Sequence, residues 1–240
     1  MTNTVVTFGA NGIIGVGAFI NDCNSTGPCP PGSQSANYYS CPTTTTCTGY
    51  TASLAQQVQN PVALLATDNN GVILELPAVA DTGATSASGS LVFGIATESN
   101  NALGTATQLL APAALITATL NGTAYTDSYL DSGSNANYFP SSITPCSSSG
   151  VLAGFYCPTA TTVENATLED TTGTMLAADF DVADPTPLTT ANPSLAAFPG
   201  LGATPLAGNT STVDLGLGFF FGRNVYTGFE TNPSGAYFAY

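Results

Sequence analysis

The segment Asp131-Ser132-Gly133-Ser134 holds the residue types best suited to chemistry. Tyr129 and Leu130 carry the chain out of a strand-like run that then ends on the Asp131 carboxylate. Ser132 can hydrogen-bond nearby backbone and hold the loop. Gly133 lets another stretch of backbone approach closely. Ser134 can bond the carboxylate itself, and a carboxylate fixed in this way is equipped for general acid–base work.

The rest of the chain excludes most other chemistries. Its 240 residues include 15 Asp and Glu, one basic side chain (Arg223) and no His, for a net charge of −14. Without His, neither a Ser-His-Asp nor a Cys-His mechanism can be assembled within the chain. The cysteines are spaced too widely for a zinc site built on thiolates alone, so no metal and no cofactor is expected. With one cation, the surface has nothing to exchange for the counterions of nucleic acid, and anionic membranes are disfavoured too. The partner class left open is a peptide or protein substrate, in an oligomeric state the sequence does not fix.

Charged residues make up 7% of the chain, far below the usual quarter. Ser, Thr, Asn and Gly must therefore solvate the surface. Such a surface stays soluble in acid and offers few sites to trypsin-like proteases. Together with six cysteines at short spacings, this points to a secreted or cell-envelope protein. No stretch approaches the roughly 20 apolar residues of a membrane helix. Residues 1–20 lack a basic leading region and contain four glycines, so they do not read as a signal peptide, and the expected export signal lies outside this chain.

The elements that position Asp131 read as strands. Short runs rich in Val, Ile, Leu, Phe and Thr alternate with Gly, Pro, Asn and Ser clusters, so the fold class is all-β. Strands are expected at Thr4–Phe8, Val62–Thr67, Val72–Leu76, Ser88–Ile95, Ala114–Leu120, Thr123–Leu130, Thr161–Thr167, Thr174–Val182, Val213–Phe221 and Val225–Glu230. Asn69-Asn70-Gly71 and Asn121-Gly122 read as hairpin turns. Short helices are expected at Tyr50–Val58 and Pro193–Phe198. Cys23–Thr51 reads as a stapled loop and Pro185–Asn209 as a second loop region. Six cysteines allow many connectivities. Nearest-neighbour pairing, Cys23–Cys29, Cys41–Cys47 and Cys146–Cys157, is the expectation, because short loops cost little entropy to close.

The hairpin 115–130 followed by Asp131-Ser132-Gly133-Ser134 resembles the active-site loop of the C-terminal lobe of pepsin-like aspartic peptidases. In that family each lobe pairs its Asp loop with a later apolar-apolar-Gly segment to make a ψ-shaped loop. Phe220-Phe221-Gly222 is similar to that segment, at a distance from Asp131 close to what the family's lobes use. Asn224–Glu230 resembles the strand that follows it, and Ser88–Gly94 the strand that opens the C-terminal lobe. Asn11–Gly17, with Ile13, Ile14 and Gly15, resembles the apolar-apolar-Gly segment of the N-terminal lobe. Counted back by the same interval, its partner Asp falls before Met1. Asn60-Pro61-Val62, Ala66–Gly71, Asp131–Ser134 and Phe220–Arg223 also resemble a bacterial family of domains of unknown function (number three-four-four-three), over nearly the whole chain.

The resemblance implies pepsin-like acid-protease β-barrel lobes, truncated at the N-terminus. Residues 1–87 would be the remainder of the N-terminal lobe with a Cys-rich insertion and linking strands. Residues 88–240 would be the C-terminal lobe with the Asp-Ser-Gly loop. The function it implies is that of an aspartic endopeptidase homologue, inactive as this chain because only one catalytic Asp is present. The alternative is a non-catalytic extracytoplasmic domain that binds peptides or partners. Asp81-Thr82-Gly83 spells a similar tripeptide, but no strong buried strand precedes it and Ala84 lacks the hydroxyl, so it reads as a turn.

Overall fold

The computed structural model describes residues 11–12, 14–23, 26–32, 38–146, 149–190, 194–205 and 208–240. The protein is mostly β, with 31% of residues in strands and 9% helical. In chain order the strands are β1 (Tyr39–Ser40), β2 (Thr48–Gly49), β3 (Gly71–Glu75), β4 (Ser90–Phe93), β5 (Gln108–Leu110), β6 (Ile116–Leu120), β7 (Thr123–Leu130) and β8 (Asn137–Tyr138). They continue with β9 (Thr162–Glu164), β10 (Ala166–Glu169), β11 (Met175–Ala177), β12 (Phe180–Val182), β13 (Gly202–Ala203), β14 (Asp214–Leu215), β15 (Asn224–Gly228) and β16 (Tyr237–Ala239). Two short helices are described, α1 (Thr186–Thr190) and α2 (Leu217–Phe220).

Two sheets carry most of the strands. The larger has the order β11-β10-β6-β7-β14-β8-β13, the other β4-β3-β15-β16-β5. Strand β6 shows why the first forms where it does. Ile116, Ala118 and Leu120 point to one face and are buried, while Thr117 and Thr119 alternate outward. Asn121 and Gly122 both take positive φ (49° and 83°), the turn that matches strand twist, and β7 pairs back on β6. One core gathers Leu120, Leu130, Phe139, Leu168, Phe180, Val213, Leu215 and Phe219. Burying each such side chain contributes roughly 1.5–3 kcal/mol. The strands leading to and flanking Asp131 are therefore anchored by the main core.

The second sheet joins distant sequence. β3 pairs with both β4 and β15, and β16 pairs with β15 and β5. The division drawn at residue 87 thus falls between two strands that pair with each other.

Several sequence expectations differ from the structure. Thr4–Phe8 lies outside the described residues. Val62–Thr67 is no strand: Pro61 opens a 3₁₀ turn, Pro61–Leu64, capped by the Asn60 side chain accepting from the Val62 N–H. Asn69-Asn70-Gly71 therefore has no strand before it to turn back from. Instead the Asn70 side chain donates to the Ile95 carbonyl and accepts its N–H. Tyr50–Val58 holds only the 3₁₀ turn Leu54–Gln56, and Thr186–Thr190 is helical rather than the described part of 193–198. Val213–Phe221 splits into β14 and α2, since a continuous apolar run reads equally as strand or helix.

All three expected disulfides are present: Cys23–Cys29, Cys41–Cys47 and Cys146–Cys157. Cys41–Cys47 closes the β1–β2 hairpin directly beyond its Ser40–Thr48 pair. Around Cys146–Cys157, the Cys146 N–H donates to the Phe155 carbonyl and the Cys157 N–H to that of Thr144. Three bridges fit an oxidising environment. No helix among the described residues is long and apolar enough to cross a membrane.

Candidate functional site around Asp131

The chain leaves β7 at Leu130, loops through Asp131–Ala136 and returns as β8. Between these two consecutive strands lies β14, from far along the sequence. It runs parallel to β7, with Asp214 opposite Tyr129 and Leu215 opposite Leu130, and antiparallel to β8, with Asp214 opposite Tyr138. Two strands and their connecting loop straddling a third describe a ψ. The Asp131 N–H donates to the Leu215 carbonyl at 3.0 Å, and the Leu217 N–H donates to the Ser134 carbonyl at 2.7 Å. Both ends of the loop are thus tied to 215–217.

Glycine makes this approach possible. A Cβ on Gly216 would sit 2.0 Å from the Ala136 carbonyl oxygen and 2.7 Å from that of Ser134. A Cβ on Gly218 would sit 2.4 Å from the Pro199 carbonyl oxygen. The close backbone approach expected at Gly133 occurs at Gly216 instead. A Cβ on Gly133 would meet only the Asp131 carboxylate, 3.0 Å away.

The Asp131 carboxylate is exposed and held by its own loop. The Gly133 N–H donates to Oδ1 at 2.8 Å, and Ser134 Oγ lies 3.2 Å from Oδ2. The same Ser134 Oγ lies 2.6 Å from Asp214 Oδ2. Asp214 is 2% exposed, and its Oδ1 has no hydrogen-bond partner among the described residues. Burial pushes its carboxyl up to about 7, with the Ser134 hydrogen bond acting against burial and the Asp131 charge adding to it. Tyr129 and Tyr138 flank it, both raised first by burial and then by the Asp214 charge. A cavity of about 30 Å³ opens here, lined by Tyr129, Tyr138, Pro205, Asn209, Thr212 and Asp214.

The chain matches the family described as "Protein of unknown function (DUF3443)" over residues 1–240. The chain belongs to the DUF3443 family. No curated protein and no solved structure matches it significantly.

In this DUF3443 chain, Asp131, Ser132, Gly133 and Ser134 form one loop, with Ser134 at its centre. The segment beside that loop is Asp214-Leu215-Gly216, whereas Phe220 ends α2 and Phe221-Gly222 follow it. There Phe220 is buried in the core, and a Cβ on Gly222 would come 3.3 Å from Ala78. Ile14 is exposed, no neighbour lies within 4 Å of where a Gly15 Cβ would be, and Ile13 lies outside the described residues. Asp81-Thr82-Gly83 is a turn, with the Gly83 N–H donating to Ala80. Arg223 lies over the Phe219 ring at 4.3 Å and donates to the carbonyls of Phe219 and Asp179. Sequence reasoning passed over Asp214 and Gly216. The available signal was a lone acid inside an apolar run, Val213-Asp214-Leu215, two residues before a glycine.

Proposed function

We propose that this chain is a pepsin-like aspartic endopeptidase homologue of secreted type, with Asp131 as one of two catalytic carboxylates. The observation that carries the reading is the ψ arrangement, in which β14 enters between β7 and β8 and presents the Asp131 carboxylate at the loop's exposed turn.

In such a reaction two carboxyl groups share one proton. The ionised group takes a proton from water as its oxygen attacks the peptide carbonyl carbon. The protonated group gives its proton to the carbonyl oxygen. Collapse of the tetrahedral intermediate breaks the C–N bond, with a proton passed to the leaving nitrogen. Asp214 cannot be the second group that touches this water, because it is buried beneath Ser134. The partner carboxylate therefore comes from an equivalent loop outside these residues, and this chain alone does not cleave peptides.

Two measurements test the reading. The purified chain, given an unfolded protein in acid, is expected to leave it intact. Cleavage that disappears in Asp131→Ala would overturn the claim of inactivity and place the partner Asp131 on a second copy of the chain. A form of this chain paired with a second Asp loop is expected to cleave, and to lose cleavage in Asp131→Asn. Peptide binding without cleavage, unchanged in Asp131→Asn, would replace the peptidase reading with a non-catalytic binding domain.

A further inference from the structure

Ser134 has one hydroxyl proton, yet its oxygen lies within hydrogen-bonding distance of two carboxylate oxygens, Asp131 Oδ2 and Asp214 Oδ2. With both carboxylates ionised, one of these contacts would set lone pair against lone pair. A proton on one carboxyl removes the conflict. The two acids differ in what surrounds them. Asp131 is exposed and accepts the Gly133 N–H. Asp214 is buried, faces no cation, and has no donor on Oδ1 among the described residues. An ionised carboxylate there would lack both solvent and compensating charge.

We propose that Asp214 is a positioning residue that carries a proton, donates it in a hydrogen bond to Ser134 Oγ, and thereby directs the Ser134 hydroxyl at Asp131 Oδ2. The relay has one direction: Asp214 O–H to Ser134 Oγ, then Ser134 O–H to Asp131. It fixes the carboxylate face of Asp131 from beneath and leaves the opposite face to solvent. Its lifetime is set by the groups that face Asp214. These are Tyr129 from β7, Tyr138 from β8, Asp131 and Ser134 from the loop, and the polar Asn209 and Thr212 across the cavity. None is cationic: burial and the Asp131 charge favour the neutral acid, and the Ser134 hydrogen bond, which acts the other way, is outweighed by burial. The cavity is large enough for a water, which gives the proton a path of exchange with solvent. When Asp214 loses its proton, Ser134 turns to the buried charge and releases Asp131. The site is therefore ordered in acid and loosened above neutrality.

A role in catalysis rests on the peptidase reading, but the relay itself can be observed without any activity. The experiment is a carbon-13 NMR titration of the whole chain with labelled aspartate carboxyls. In the wild type, one aspartate should hold its proton to about pH 7. The Asp131 resonance should register a second inflection at that same midpoint. In Asp214→Asn the high titration should vanish, and with it the inflection that it imposes on the Asp131 resonance, because the amide can still donate to Ser134 but cannot titrate. In Ser134→Ala the second inflection in Asp131 should be lost. The proposal is overturned if no aspartate titrates above about pH 5 in the wild type. It is also overturned if Asp131 keeps its second inflection in Ser134→Ala. An intact relay in a gene product that cleaves nothing would support this proposal while removing the peptidase reading.

Discussion

Ser134 Oγ lies 2.6 Å from Asp214 Oδ2, a contact across 80 positions of sequence. It joins a loop suited to acid–base work with a buried acid that the loop's own sequence does not contain. Asp131 alone is an exposed carboxylate at a strand end. With Ser134 and Asp214 beneath it, one of its faces is held and the other is open.

The closest backbone approach in the site is at Gly216. Its added Cβ would lie 2.0 Å from the Ala136 carbonyl oxygen, which belongs to the backbone and cannot swing aside. Gly216→Ala should cost about 2–3 kcal/mol in urea unfolding and displace the Asp131 loop. A loss under about 0.5 kcal/mol would mean that 214–216 and the loop are not in contact.

Stability should be highest in mild acid. Asp214, raised by burial to about 7 against an unfolded value of 3.8, binds its proton more tightly when folded. Its contribution is complete below pH 3.8 and is lost as pH rises through 7. Glu164 is also raised by burial and acts in the same sense. Asp170 acts oppositely. Burial favours its neutral form, but bonds from the N–H groups of Leu110, Thr172 and Thr174 and from the Thr172 hydroxyl outweigh that and hold it at about 2. Its contribution is present above 3.8 and lost as pH falls through 2. The maximum should lie near pH 4, with a fall on the order of 3 kcal/mol by pH 8. Urea midpoints across pH measure this, and Asp214→Asn should flatten the neutral limb. A wild type that is more stable at pH 8 than at pH 4 would contradict the assignment.

Arg223 should not tolerate lysine. Its guanidinium covers the Phe219 ring and donates to two carbonyls on different segments, which one ammonium cannot reproduce. Arg223→Lys should lose about 1–2 kcal/mol. An equal midpoint in thermal unfolding would show that the two carbonyls are satisfied without it.

Replacing Cys146 and Cys157 together by Ser should lower stability by roughly 2–3 kcal/mol, since the bridge closes a short loop against the core residue Tyr156. Non-reduced peptide mapping should recover three local pairs. A crossed pair among Cys23, Cys29, Cys41 and Cys47 would contradict the structure.

Local signals in the sequence carried the local features. The Asn121-Gly122 turn, the eight-residue strand to Leu130 and the three disulfide pairs rest on contacts between near neighbours, and patterning reports those. The Asp131 loop was legible for the same reason. Its partner segment was not. Leu215-Gly216 and Phe221-Gly222 have similar local composition, and only tertiary contact separates the glycine that abuts the loop from the one that turns the chain after α2. Pro61 and the Asn60 cap overrode the strand-like apolar run at 62–67. Asp214 was hidden by its setting, because an acid between Val213 and Leu215 looks like a solvent-facing position on a strand. It is buried where β14 lies between Tyr129 and Tyr138 of the neighbouring strands.

The insertion of β14 between β7 and β8 also fixes an order of events in time. β7 and β8, consecutive along the chain, cannot zip together, because the place between them belongs to a third strand that is made much later. The β6–β7 hairpin can form early, from contacts a few residues apart, while Asp131 waits on residues 214–217. Loop closure over that span is slow compared with hairpin formation. During synthesis the carboxylate therefore hangs from a finished hairpin with no held face. It becomes a site only when residues 214–217 are available, and hydrogen exchange during refolding should show the Asp131 and Leu217 amides protected after those of β6 and β7.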